Sequence, residues 1–239
     1  MSSQFKNNRK FHLHLEGLEL LEEGIDLQTQ IEYIEHSHSF DRGELTREQI
    51  VNLGNMLSDS QLPSEGKKKV LSLLAHTDNI AAFKQIEKYY NNPDKEIKQW
   101  AALALQESKI FLESSLTQEM TCFVSSGLGG NKNRMRYYFL VLPLEGKLFS
   151  EKQKAVIKDE FTIVAKNLGS EIESFDFSDT YAGITVLLPL DIAPETFFKS
   201  GMMKCNELGE FVLEYYYVTN TDIPDQPEIE KIIRIILDN

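Results

Sequence analysis

Sulfur and indole are scarce in this chain of 239 residues, which holds two cysteines and one tryptophan. Cys122 and Cys205 lie far apart and outside any metal-ligand spacing, so neither a disulfide framework nor a cysteine metal site is expected. Reduced thiols in the cytoplasm are the expectation that follows. No stretch approaches the roughly 18 consecutive apolar residues of a membrane-spanning helix. The charged start, Met1 to Lys10, is followed by no apolar run of the secretory kind. Positive charge is also in deficit, with 25 Lys and Arg against 37 Asp and Glu for a net charge of −12. The excess is shared, −5 over residues 1–118 and −7 over 119–239, so neither half is a basic module. Partners made of nucleic acid or anionic membrane are therefore not expected. Catalytic signatures are missing too: there is no G-x-S-x-G, no cysteine with an evident histidine partner, and no cluster of carboxylates at one strand end.

What is present is a core. Hydrophobic residues make up 41% of the chain, enough for a folded protein of one or two domains. The first half has helical spacing. Leu20, Leu21, Ile25, Leu27, Ile31 and Ile34 predict a helix over 18–34, interrupted at Gly24. Thr46 predicts a cap for a helix bearing Ile50, Leu53 and Leu57. Pro63-Ser64 opens the next, with Val70, Leu73 and Leu74 on one face. Asp78 predicts the cap of a third, carrying Ile80, Phe83, Ile86 and Tyr90 and ended by Asn91-Asn92-Pro93. Asp94 starts a fourth that runs to about Leu116, with Trp100 expected to be buried on it.

That fourth helix begins D-K-E-I-K-Q-W-A-A-L-A-L, placing Ile97, Ala101, Ala104 and Leu105 on one side. The segment resembles the second helix of a HEAT repeat, so residues 46–116 are identified as two HEAT-like hairpins. The resemblance implies a stack that presents a concave surface to other proteins.

The second half changes to period two. Met135, Tyr137, Phe139 and Val141 alternate with their neighbours as a strand. Ser150 to Gln153 is a capping box for a helix with Ile157, Phe161, Val164 and Leu168, stopped by Gly169. Strands follow at about 171–177 and 181–190, then a helix from Pro194 and a strand over 210–219. A second capping box, Asp225 to Glu228, opens a final helix with Ile229, Ile232, Ile233 and Ile236. This order resembles the ferredoxin-like split βαβ fold over about 132–220. The expected architecture is thus α+β: a short HEAT-like array in 1–118, then a ferredoxin-like antiparallel sheet domain in 130–239 with an extra C-terminal helix.

Candidate residues fall in four places. Gly127, Gly129 and Gly130 free the backbone beside Asn131, Lys132, Arg134 and Arg136, a pattern suited to holding an anion. It lacks the G-K-[ST] ending and the following helix of a P-loop. Tyr215, Tyr216 and Tyr217 sit on the last strand, whose light charge protection marks it as an interface for a partner or for a second copy in a homodimer. His12-Leu13-His14-Leu15-Glu16-Gly17 is similar to the zinc-binding H-x-H-L-[DE]-G segment of adenosine-deaminase-like hydrolases. No H-A-G-E segment or late aspartate-rich motif accompanies it, and their barrel needs about 250 residues. His36 and His38 form a second H-x-H pair at a helix end, where i, i+2 spacing points the rings apart.

The function expected from these readings is a non-catalytic intracellular adaptor or regulator that binds another protein, with no cofactor and no metal. The alternative is a sensor holding an anionic metabolite at the 127–136 loop, and a hydrolase using the early histidines stands third.

Overall fold

Helical spacing in the first half produces five helices among the residues that the computed structural model describes, which are 18–37, 44–117, 122–144 and 147–237. They are α1 (Leu27–Ser37), α2 (Arg47–Leu57), α3 (Ser64–Ala75), α4 (Ile80–Tyr90) and α5 (Lys98–Thr117). Thr46 and Gln49 make a reciprocal capping box before α2. The cap of α4 is Asn79 rather than Asp78: the Asn79 side chain accepts from the Ala81 amide, while Asp78 accepts from Ser115 on α5. A 3-10 turn, Lys95–Ile97, leads into α5. Helix α2 packs on α4, and α3 packs on α5, so the two hairpins stack in register. Leu71, Leu74, Ile86, Ala101 and Ala104 are fully buried between them, and Trp100 is 3% exposed.

Residues 18–34 do not form one helix. Leu18–Leu20 is a strand, β1, paired in parallel with β2 (Cys122–Val124). Tertiary pairing overrides the local periodicity there, and the Glu19 carboxylate is taken up by Lys109 and Gln106 of α5, each at 2.8 Å.

The second half gives β3 (Gly130–Asn131), β4 (Arg134–Pro143), α6 (Glu151–Asn167), β5 (Glu171–Phe177), β6 (Ala182–Pro189), α7 (Pro194–Glu207), β7 (Val212–Thr219) and α8 (Gln226–Leu237). The antiparallel strands run β5-β6-β4-β7, with β3 turned back onto the start of β4. This is the split βαβ order that the sequence predicts, and the chain is an α+β protein. Phe139, Phe161, Ile184, Phe197 and Phe198 form the core between the sheet and α6 and α7. On the opposite face, α8 lays Ile229, Ile232, Ile233 and Ile236 over Tyr138, Leu140, Leu142 and Tyr217. The aromatic face of β7 is covered by the chain's own last helix, while its outer edge, on which the homodimer expectation rests, pairs with no strand among the described residues.

No helix among the described residues is long and apolar enough to cross a membrane.

Candidate functional site

The glycine loop is filled by the protein itself. The Leu128 amide donates to the Asn220 carbonyl at 2.9 Å, Gly129 to Ser126 at 3.2 Å, and Gly130 to Glu22 at 3.0 Å. A Cβ at Gly127 would collide with the Thr221 carbonyl, and Gly129 has φ of +66°. The glycines therefore serve a close crossing of backbones. The Lys132 amide is bound to the Glu22 carboxylate at 2.7 Å, Asn131 pairs with Arg134 in the β3–β4 turn, and Arg134 meets Glu171 at 3.3 Å. Arg136 grips Glu173 through two nitrogens and also donates to the Leu128 carbonyl. The loop amides of Leu128, Gly129, Gly130 and Lys132 and both arginines are engaged by carbonyls and carboxylates of the chain, while the Lys132 ammonium forms no ion pair among the described residues.

The tyrosines of β7 divide between environments. Tyr216 stacks on Phe198 with centroids 3.9 Å apart, Tyr217 packs under α8, and Tyr215 is 65% exposed. His12, His14 and His38 lie outside the described residues. His36 sits 3.2 Å from the Ser72 hydroxyl and edge-on to Trp100. Among the described residues no group of three or more His, Cys, Asp or Glu is placed to hold a metal ion.

A different place combines the features of a binding site: the groove between α6 and the edge strand β5. The Ser150–Gln153 capping box starts α6, Gly169 at φ +63° ends it, and the chain returns at once as β5, which among the described residues pairs with β6 alone. The groove has a volume of about 620 Å³. Lys158, Thr162 and Lys166 line it from α6 at i, i+4 and i+8, so the backbone positions of the two lysines stand about 12 Å apart along the axis. From β5 come Phe175 and Phe177, half-buried, with rings nearly parallel at 6° and centroids 5.5 Å apart. Ser170 and Ser174 add hydroxyls.

The electrostatics of the groove run against those of the whole chain. Strand β5 carries Glu171, Glu173 and Asp176, but each is engaged elsewhere. Arg134 holds Glu171, Arg136 holds Glu173, and the Tyr181 hydroxyl donates to Asp176 at 3.0 Å. The Glu173 carboxylate raises the pKa of Arg136 further, so that guanidinium stays charged. Lys158 and Lys166 have no ion-pair partner among the described residues. A net charge of −12 hides this local arrangement, because the sum over the chain does not say which carboxylates are already neutralised. The signal available in the sequence was the Lys-Thr-Lys stripe of α6 set against the alternating phenylalanines.

No family model matches the sequence, and no curated protein does. Solved structures similar in fold include a REP-associated tyrosine transposase bound to a REP hairpin, at 9% identity and a TM-score of 0.33. That match covers 42% of this chain and 63% of the other, so the chain spans less than two thirds of that protein's length. A second is a putative transposase from Deinococcus radiodurans R1, at 12% identity and a TM-score of 0.36, covering 44% of this chain and 90% of the other. These neighbours contradict the expected non-catalytic adaptor without a nucleic-acid partner, and that expectation is withdrawn together with its sensor and hydrolase alternatives. At such TM-scores the likeness does not carry an activity over to this chain.

Proposed function

We propose that the groove between α6 and β5 binds a single strand of nucleic acid. The observation that carries this reading is the pair of lysines, Lys158 and Lys166, without an ion-pair partner among the described residues, lining one groove with the stacked rings of Phe175 and Phe177. Non-sequence-specific single-strand sites combine cations for the backbone with aromatic faces for the bases, each stacked base being worth about 1–3 kcal/mol. The Ser174 hydroxyl supplies a further partner for phosphate or sugar, whereas those of Thr162 and Ser170 donate to the Lys158 and Leu168 carbonyls. With two lysines the electrostatic contribution is small, so binding is modest and sensitive to salt.

Fluorescence anisotropy with a labelled oligothymidylate at low salt tests this. Wild type binds, and the double variant Lys158→Glu, Lys166→Glu loses most of that binding while keeping its circular dichroism. Binding that is unchanged in the double variant sinks the reading. So does equal binding of polyglutamate, which would reveal an edge-strand peptide site.

We also propose that residues 46–116 are HEAT-like repeats and that the chain divides into units over 1–118 and 130–239. Support for the first is the packing of α2 on α4 and of α3 on α5; support for the second is that the two cores share no residue. A cytoplasmic setting is our proposal as well, supported by two cysteines that are both unbridged. Limited proteolysis of the whole chain checks the division, with first cleavage expected between residues 117 and 132.

A further inference from the structure

The outer edge of β5 carries chemistry that its rings and the lysines of α6 leave unused. At the end of the strand the Ser178 amide donates to the Tyr181 carbonyl at 3.0 Å. In an antiparallel ladder, directly opposed residues alternate between pairs that exchange hydrogen bonds and pairs that do not. Counting back from Ser178 and Tyr181 along the register, the bonded pairs are Asp176 with Gly183 and Ser174 with Thr185. Phe175 and Phe177 fall between them, opposite Ile184 and Ala182. Their N–H and C=O groups therefore point away from β6, over an edge that no other strand among the described residues pairs with.

The two phenylalanines of the groove thus offer both a ring to stack on and a backbone donor beside an acceptor. Building on the single-strand site proposed for the groove, we infer that this open edge recognises unpaired bases: a base resting on Phe175 or Phe177 turns its Watson–Crick edge to their backbone N–H and C=O groups. Every natural base carries a donor beside an acceptor on that edge, so the contact selects no sequence. A base already paired in a duplex cannot make it. Lys158 and Lys166 line the groove from α6, on the side left to the phosphates.

The length of the edge favours bases over an added peptide strand. The register slips between Ile172 and Ser174, so Glu173 is an extra residue that bulges from the ladder. Such bulges blunt an edge against strand addition. Past the bulge, the outward positions are those of Phe175 and Phe177, about 7 Å apart. That is about twice the rise of stacked bases in a duplex strand, so the bound bases are unstacked from each other, as a single strand permits.

Fluorescence anisotropy of the full chain with oligothymidylate and with an oligomer of N3-methylthymidine tests this. The methyl group blocks the Watson–Crick edge and keeps the phosphates and the ring face. The methylated oligomer is expected to bind about fivefold more weakly or worse, the effect of losing one ordinary hydrogen bond. Phe177→Pro and Phe177→Ala give a second measurement, with folding checked by circular dichroism. Both delete the ring, but only proline removes the outward N–H, which takes no part in the ladder. The proline variant is expected to bind oligothymidylate more weakly than the alanine variant. Equal binding of the two oligomers by wild type, or of oligothymidylate by the two variants, overturns base recognition by the edge and leaves the single-strand groove standing. Binding of neither oligomer overturns both. An uncharged valine-threonine peptide that displaces oligothymidylate assigns the edge to peptide and overturns it too.

Discussion

Trp100 offers a substitution in which two opposing contributions separate. Its ring is 3% exposed, 5.0 Å from the Tyr33 ring and 5.3 Å from that of His36, with the Lys68 ammonium 4.8 Å above it. Its buried indole N–H has no hydrogen-bond partner among the described residues. Trp100→Ala removes the whole ring from a packed site and is expected to cost about 3–5 kcal/mol. At about 2–4 °C per kcal/mol for a chain of this size, the melting point falls by roughly 6–20 °C. Trp100→Phe keeps a ring against Tyr33 and His36 and deletes the orphan donor, whose burial costs about 1–3 kcal/mol. The phenyl ring is smaller and a weaker cation partner, a loss of about 0.5–1 kcal/mol beside the lost volume. The phenylalanine variant is therefore expected to lose less than half of what the alanine variant loses. Because this is the chain's one tryptophan, unfolding is followed by circular dichroism at 222 nm in urea. If the two variants unfold at the same denaturant concentration, the argument from the unpaired N–H is refuted.

Gly127→Ala is expected to destabilise by more than the few tenths typical of a surface change, since its Cβ meets the Thr221 carbonyl, and urea unfolding measures it. Asp94 is held below its ordinary value of 3.8, first by the hydrogen bond from Lys67 and then by that from Tyr89. Its contribution is present above that pH and fades as pH falls through the lower native value, so acid unfolding between pH 5 and pH 2 is expected to be less steep in Asp94→Asn. Burial pushes the Cys205 thiol up to about 12, whereas Cys122 is exposed. One thiol is expected to react with a disulfide reagent in the native protein and two after unfolding; two fast thiols would contradict the packing of α7.

Where the chain's own chemistry is local, the fold was readable from the sequence. Thr46 with Gln49 and Ser150 with Gln153 close capping boxes within four residues, and Gly169 ends α6 by itself. Period-two runs became β4, β5 and β6 because alternation is a property of the strand alone. Residues 18–20 were misread as helix because their partner is β2, about a hundred residues away. The partners of the 127–136 loop were illegible for a related reason: its glycines and arginines look free until Thr221, Glu22, Glu171 and Glu173 arrive from distant segments. The groove escaped notice because net charge adds what the fold keeps apart.

The pairing of β1 with β2 also bears on the order of folding. It joins Leu18 to Cys122 around the whole helical stack. Closing so long a loop in an unfolded chain costs about 4 kcal/mol plus a constant, and three strand residues return little of it. Once the hairpins have stacked, the ends are already near each other and most of that entropy has been spent on contacts of short sequence separation. The clasp is then a late event that reports on everything inside it. The amides of Leu21 and Ile25, bound to Val124 and Ser126, become sentinels whose hydrogen exchange follows the integrity of the entire helical array.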